Sequence, residues 1–115
     1  MFFERRRWAV RLLDHMGHFA GSRQSTALID LLIWASKSNA PEAAPFSRKK
    51  RDQIIGWGII MFNNPTATEK LARDARISES DAYNLLKKMK ESARQLAQEH
   101  GLATLIHIAD ASDAW

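Results

Sequence analysis

The chain has no cysteine among its 115 residues. That excludes disulfides and cysteine-based zinc sites, and it fits a reducing, cytoplasmic setting. Long apolar runs are lacking too. The longest, Ile54 to Phe62, falls far short of the ~20 residues that a membrane-spanning helix needs. The opening Met-Phe-Phe-Glu-Arg-Arg-Arg does not lead into an apolar stretch with a small-residue cleavage site, which speaks against a secretory signal. Internal repeats, low-complexity tracts, glycine-rich phosphate loops and nucleophile motifs are absent as well. Gly56-Trp57-Gly58 is too short for a phosphate loop and sits in an apolar run, where packing explains it better. His15 and His18 share a helix with Asp14, yet no metal-binding spacing joins them to His100 or His107. The expectation is a protein with no catalytic residues, no metal and no cofactor.

What is present is positive charge, unevenly spread. Net charge is +4. Residues 1–51 hold ten Lys/Arg against four Asp/Glu, whereas residues 52–115 hold seven against nine. The excess lies in two clusters, Arg5-Arg6-Arg7 and Arg48-Lys49-Lys50-Arg51. Such clusters suit a polyanionic partner, nucleic acid first. Solvated helix ends carry similar runs, so the bland alternative is solubility.

Hydrophobic periodicity predicts a single all-α domain over 1–115, with about five helices. Trp8, Leu12, Met16 and Phe19 recur at helical spacing, and Gly21 is the expected stop. Ser22 or Ser25 can cap the next helix. Thr26 to Lys37 is apolar almost all round, broken by Asp30, and is expected to be the central, most buried helix. Residues 38–46, with Pro41 and Pro45, read as a loop and as the one hinge or tether in the chain. Ser47 can cap a helix from Arg48. The run to Phe62 mixes β-branched residues with Gly56 and Gly58; its basic lead-in favours a buried helix whose glycines admit a close neighbour. Trp8, Trp34 and Trp57 are expected in the core. Leu102 to Ala109 has strand-like content, which fits a short edge or dimer strand. Residues 110–115 read as an acidic tail, and its terminal Trp115 suits docking on a partner.

The segment Thr66 to Met89 carries the functional signal. Two capping boxes stand twelve residues apart: Thr66 with Glu69, and Ser78 with Asp81. They predict two helices with a very short connection. Leu71, Ala72, Ala75, Ile77, Ala82 and Leu85 form an apolar pattern across it, and small Ala72 and Ala82 allow a close crossing. If Ala82, Leu85, Leu86 and Met89 face the core, then Ser80, Tyr83, Asn84 and Lys87 share the opposite face. Asn can read adenine with two hydrogen bonds, and Ser, Lys and Tyr can meet bases or phosphates. Glu79 and Asp81, in the same first turn, oppose phosphates but suit the helix dipole.

Segment 66–89 resembles the helix-turn-helix DNA-binding proteins, with Leu71-Ala-Arg-Asp-Ala-Arg-Ile-Ser78 matching first helix, turn and second cap. It departs from them at the turn, where Arg76 stands in place of the usual Gly. The resemblance implies a small transcriptional regulator, of the kind found in bacteria, phages and plasmids, that acts as a homodimer. Its DNA contacts would be Ser78, Ser80, Tyr83, Asn84, Lys87 and Lys88, with Arg48, Lys49, Lys50 and Arg51 on flanking phosphates. The competing reading is a helical protein-interaction module, such as an adaptor, an inhibitor or a small subunit of a nucleoprotein complex. Its basic N-terminal half would then meet RNA or an acidic partner.

Overall fold

A computed structural model describes residues 3–18 and 21–112. Six α-helices follow one another: α1 (Glu4–His15), α2 (Arg23–Ser36), α3 (Lys50–Ile60), α4 (Pro65–Ala75), α5 (Glu79–Glu99) and α6 (Ala103–Ser112). Short 3-10 turns, Pro41–Ala43 and Met61–Asn63, lie before and after α3. Among the described residues there is no strand, and no helix is long and apolar enough to cross a membrane.

The centre of the fold is α3. Every residue from Ile54 to Ile59 is buried, and the helix packs against α1, α2, α5 and α6. The expectation that placed Thr26–Lys37 at the centre is corrected here. Helix α2 buries Ala27, Leu28, Ile29, Leu31, Leu32 and Ala35, but its Trp34 is 46% exposed. Trp34 is thus not a core residue, and the Lys70 ammonium lies 5.9 Å from its ring centroid. Trp57, by contrast, is buried. Glycine gives α3 its central place: a Cβ at Gly58 would stand 2.8 Å from Leu12 Cδ2 and 3.1 Å from Ala93 Cβ. Helices α1 and α5 close in over that bare position. At Gly56 the same room is taken by the Phe46 ring, which meets Trp57 edge-on at 5.9 Å. Phe46 thereby pins the end of the 38–46 loop to the core.

Helix ends explain most of the remaining differences. Helix α1 stops at His15 because Gly17 takes a left-handed φ of 79°, and the His18 N–H then reaches the Leu13 carbonyl at 3.0 Å. Gly17, not Gly21, is therefore the stop. Ser22 caps α2, accepting a hydrogen bond from the Ser25 N–H. Helix α3 starts at Lys50, two residues later than expected; its N-cap is Lys49, with no side-chain cap, and Ser47 Oγ accepts from the Lys49 N–H at 3.2 Å ahead of the helix. At α4 the cap is Asn64, whose Oδ1 accepts from the Ala67 N–H at 3.1 Å. Pro65 fills the first helical position, so Thr66 lies inside the helix.

The C-terminal strand is also corrected. Gly101, with a φ of 65°, ends α5, and residues 103–112 form α6. Its buried residues, Leu105, Ala109 and Ser112, are four and three apart, a helical period that packs the segment on α3 and α5. Packing outweighs the β-branched content of Thr104, Ile106 and Ile108. Residues 110–112 belong to this helix rather than to a tail, and Arg94 Nε donates to Asp110 Oδ1 at 2.7 Å. Trp115 lies outside the described residues.

Candidate nucleic-acid interface

The α4–α5 pair is built by its caps. Helix α4 ends with Arg76 in the left-handed region, φ 56° and ψ 50°. The Ile77 N–H then bonds back to the Ala72 carbonyl at 3.0 Å, and Ile77 packs partly buried against the core. This is the glycine-type helix stop made without glycine, at a conformational penalty of about 1–2 kcal/mol. Ser78 then caps α5, with Oγ accepting from the Asp81 N–H at 3.0 Å. The connection is three residues long. Ala72 and Ala82 are both buried where the two helices meet.

The phase of α5 follows from its buried residues. Ala82, Leu86, Met89, Ala93, Leu96 and Ala97 form the inner stripe. Leu85, expected inside, is only half-buried. Ser78, Ser80, Asn84 and Lys88 are exposed, the last three along one line at four-residue intervals. Tyr83 and Lys87 turn to one side of that line. The Tyr83 ring meets Phe62 edge-on at 6.3 Å, and the Lys87 ammonium lies 4.5 Å from the Phe62 centroid. Lys87 is half-buried, so it is tied to Phe62 as much as offered to a ligand.

On the other side of the line an open groove of about 240 Å³ is lined by Gln24, Ile77, Asp81, Asn84, Leu85 and Lys88. Gln24, from the first turn of α2, was not foreseen. No local pattern marks it, because tertiary packing alone brings it beside Asn84. Arg76 and Arg73 are exposed near the same end. Their nearness was readable, since both flank the turn in sequence.

The basic cluster Arg48-Lys49-Lys50-Arg51 does not lie beside this face. It opens α3 at the opposite end of α5. Arg51 lies 6.0 Å from the Trp8 ring centroid, and Trp8 meets His100 edge-on at 5.2 Å. Asn84 and His100 are separated by about 24 Å of helix at 1.5 Å per residue. What the structure does bring together is the two basic clusters themselves. Helices α1 and α3 run in the same direction, with Trp8 near Arg51 and Leu12 against Gly58. Trp8 is half-buried, with Arg11 5.2 Å from its ring as well. Arg51 is also paired with Asp52, at 2.9 Å.

One further contact marks that end. His15 Nε2 and Glu99 Oε1 are 2.9 Å apart, joining α1 to α5. The bond holds the Glu99 carboxyl below its usual pKa; the charges of His15, His100 and Arg11 act in the same sense. Among the described residues no group of three or more His, Asp or Glu could hold a metal ion. No family model, curated protein or solved structure was found to match the chain.

Proposed function

We propose that this chain is a small DNA-binding protein of the transcription-regulator type, which sets the first turns of α5 in the major groove. The observation that carries the reading is the α4–α5 corner. A three-residue connection with a left-handed first position, Arg76, leads into a capped helix, whose outer line of Ser80, Asn84 and Lys88 is exposed. In this role Asn84 reads a base edge, Ser78 and Ser80 meet bases or phosphates, and Lys88 and Arg76 neutralise phosphates. Tyr83 and Lys87, braced on Phe62, border the same contact. A homodimer belongs to this proposal: two copies of α5 would then be read at half-sites about 34 Å apart. Selection from a random duplex library tests it. A recovered motif, with a half-site repeat for the dimer, is the expected result; recovery of no motif would overturn it.

A second reading is favoured by the charge distribution. The basic clusters sit at the far end from α5's exposed line, and Glu79 and Asp81 stand exposed in its first turn. In that reading the chain is a helical interaction module, and the corner is scaffold. Absence of DNA binding at low salt, together with capture of an acidic protein by the basic end, would select it.

A further inference from the structure

The N-terminal ends of α1 and α3 form one electropositive pole. Arg5, Arg6, Arg7 and Arg11 come from α1, Lys50 and Arg51 from the first turn of α3, and Arg48 and Lys49 from the residues that lead into it. The opposing charges on these elements are Glu4 and Asp52 at the helix starts and Asp14 near the other end of α1, and Asp52 is engaged by Arg51 and Ser47. Glu99, beside Arg11, is bonded to His15. Because α1 and α3 run in the same direction, the positive ends of both helix dipoles coincide with the cations. An acidic first turn is what stabilises a helix start, and here it is mostly basic. Arg6, Arg7, Arg11, Arg48 and Lys49 are exposed. Folding gains nothing from gathering so much like charge at two helix starts; a bound polyanion would.

We infer that this pole is a second site for the DNA backbone, so that one molecule bridges two duplex segments. The inference rests on α5 as the first site. Around the axis of α5, at 100° per residue, Ala82, Ala93 and His100 fall within about 20° of one another, while Asn84 lies about 160° away. The pole, reached through Trp8 on His100, is therefore on the inner side of α5 and at its far end. The exposed line is on the outer side of the near end. A straight duplex held against one cannot touch the other. The pole has charge without an ordered line of base-reading side chains, which suits phosphates of any sequence.

The test uses an immobilised duplex carrying the selected motif and a second, fluorescent duplex lacking it. Wild-type protein should hold the first and capture the second. The variant R6Q/R7Q/R48Q/K49Q changes exposed residues only. It should still hold the first duplex, with capture of the second reduced about tenfold or more and the salt slope of capture lowered by about 3–4 for four lost phosphate contacts. Asn84→Ala should lose the preference for the first duplex over the second, roughly ten- to a hundredfold, while leaving salt-sensitive binding of either duplex to the pole intact. Undiminished capture by the four-site variant overturns the pole. Capture of no second duplex by wild type, with the ends of a doubly labelled single duplex drawn together instead, shows that one bent duplex serves both faces and overturns bridging. If Asn84→Ala holds the first duplex like wild type and the four-site variant does not, the pole is the sole site, and the reading of α5 falls along with bridging.

Discussion

The two ends of α5 offer different things to a ligand. At its start there is shape: a fixed corner, a cap, and an exposed line of Ser80, Asn84 and Lys88 in which Glu79 and Asp81 offset the nearby cations. At its end there is charge: eight Lys and Arg in α1 and at the entry to α3, of which Arg11 and Arg51 flank Trp8. Base edges are discriminated by placed donors and acceptors, and phosphates are held by charge. On the function proposed above, sequence reading falls to one end and sequence-blind attachment to the other. On that proposal charge counting alone points away from the reading end, because the densest cations sit where the geometry is least specific.

The largest effect expected lies between the two ends. Leu86 is fully buried on the inner stripe of α5, so Leu86→Ala should destabilise the fold by about 2–5 kcal/mol through lost burial and a residual cavity. Leu85→Ala, at a half-buried position, should cost about 1 kcal/mol. Urea unfolding of both variants checks the phase of α5. Equal losses would mean that the helix is rotated, and the exposed line with it.

Next in size is Asn84→Ala, which addresses the reading end alone. Asn84 is exposed, so stability should change by less than about 0.5 kcal/mol. A two-bond contact to a base is worth about 1–3 kcal/mol of discrimination. Specific affinity should fall roughly ten- to a hundredfold, with nonspecific binding nearly unchanged. Titration of motif-bearing and scrambled duplexes separates the two. An equal fall on both would move Asn84 from base reading to backbone contact.

Much of the fold was legible because it rests on local rules. Ser22 and Ser78 cap helices as their sequence context indicates, and Gly58 admits close neighbours as a glycine in an apolar run should. Helix α6 is less legible because Thr104, Ile106 and Ile108 weigh toward a strand, against the helical spacing of Leu105 and Ala109. Trp34 departs from the core because an apolar run does not say which side is covered; here it is left half exposed beside Lys70 of α4. The candidate site divides in the same way. The line Ser80, Asn84, Lys88 is a property of one helix and follows from its period. The remoteness of Arg48–Arg51 from that line, and the meeting of that cluster with Arg5–Arg7, depend on the parallel course of α1 and α3. Residues so far apart in sequence carry no local sign of that course.

Arg76→Gly gives a smaller effect and separates shape from charge at the reading end. Glycine reaches the left-handed region without steric penalty, so the variant should be about 1 kcal/mol more stable than wild type. The denaturation midpoint should rise at unchanged slope. If the Arg76 guanidinium meets a phosphate, the salt slope of binding should also fall by about 0.9. Arg76→Ala keeps the strained backbone and removes the same charge, so its midpoint should not rise while its salt slope falls equally. A stability gain shared by both variants would mean that the turn is not left-handed in solution.

The smallest effect belongs to the charged end and concerns how it is anchored. His15 bonds the exposed Glu99 at 2.9 Å, and this contact is the first cause of the lowered Glu99 pKa. The folded protein thus keeps Glu99 ionised to lower pH than the unfolded chain does. The contribution to stability is complete above the ordinary carboxylate range and fades as pH falls through the depressed folded value. His15→Ala should shift the Glu99 carboxyl titration, followed by carbon-detected NMR, back up toward its usual position. DNA capture by Arg6, Arg7, Arg48 and Lys49 should persist, because the pole is fixed by Leu12, Gly58 and Ala93 in the core rather than by this surface pair. An unmoved titration would show that the contact does not form in solution. A loss of capture at unchanged stability would show that the His15–Glu99 contact, and not core packing, orients the charged end.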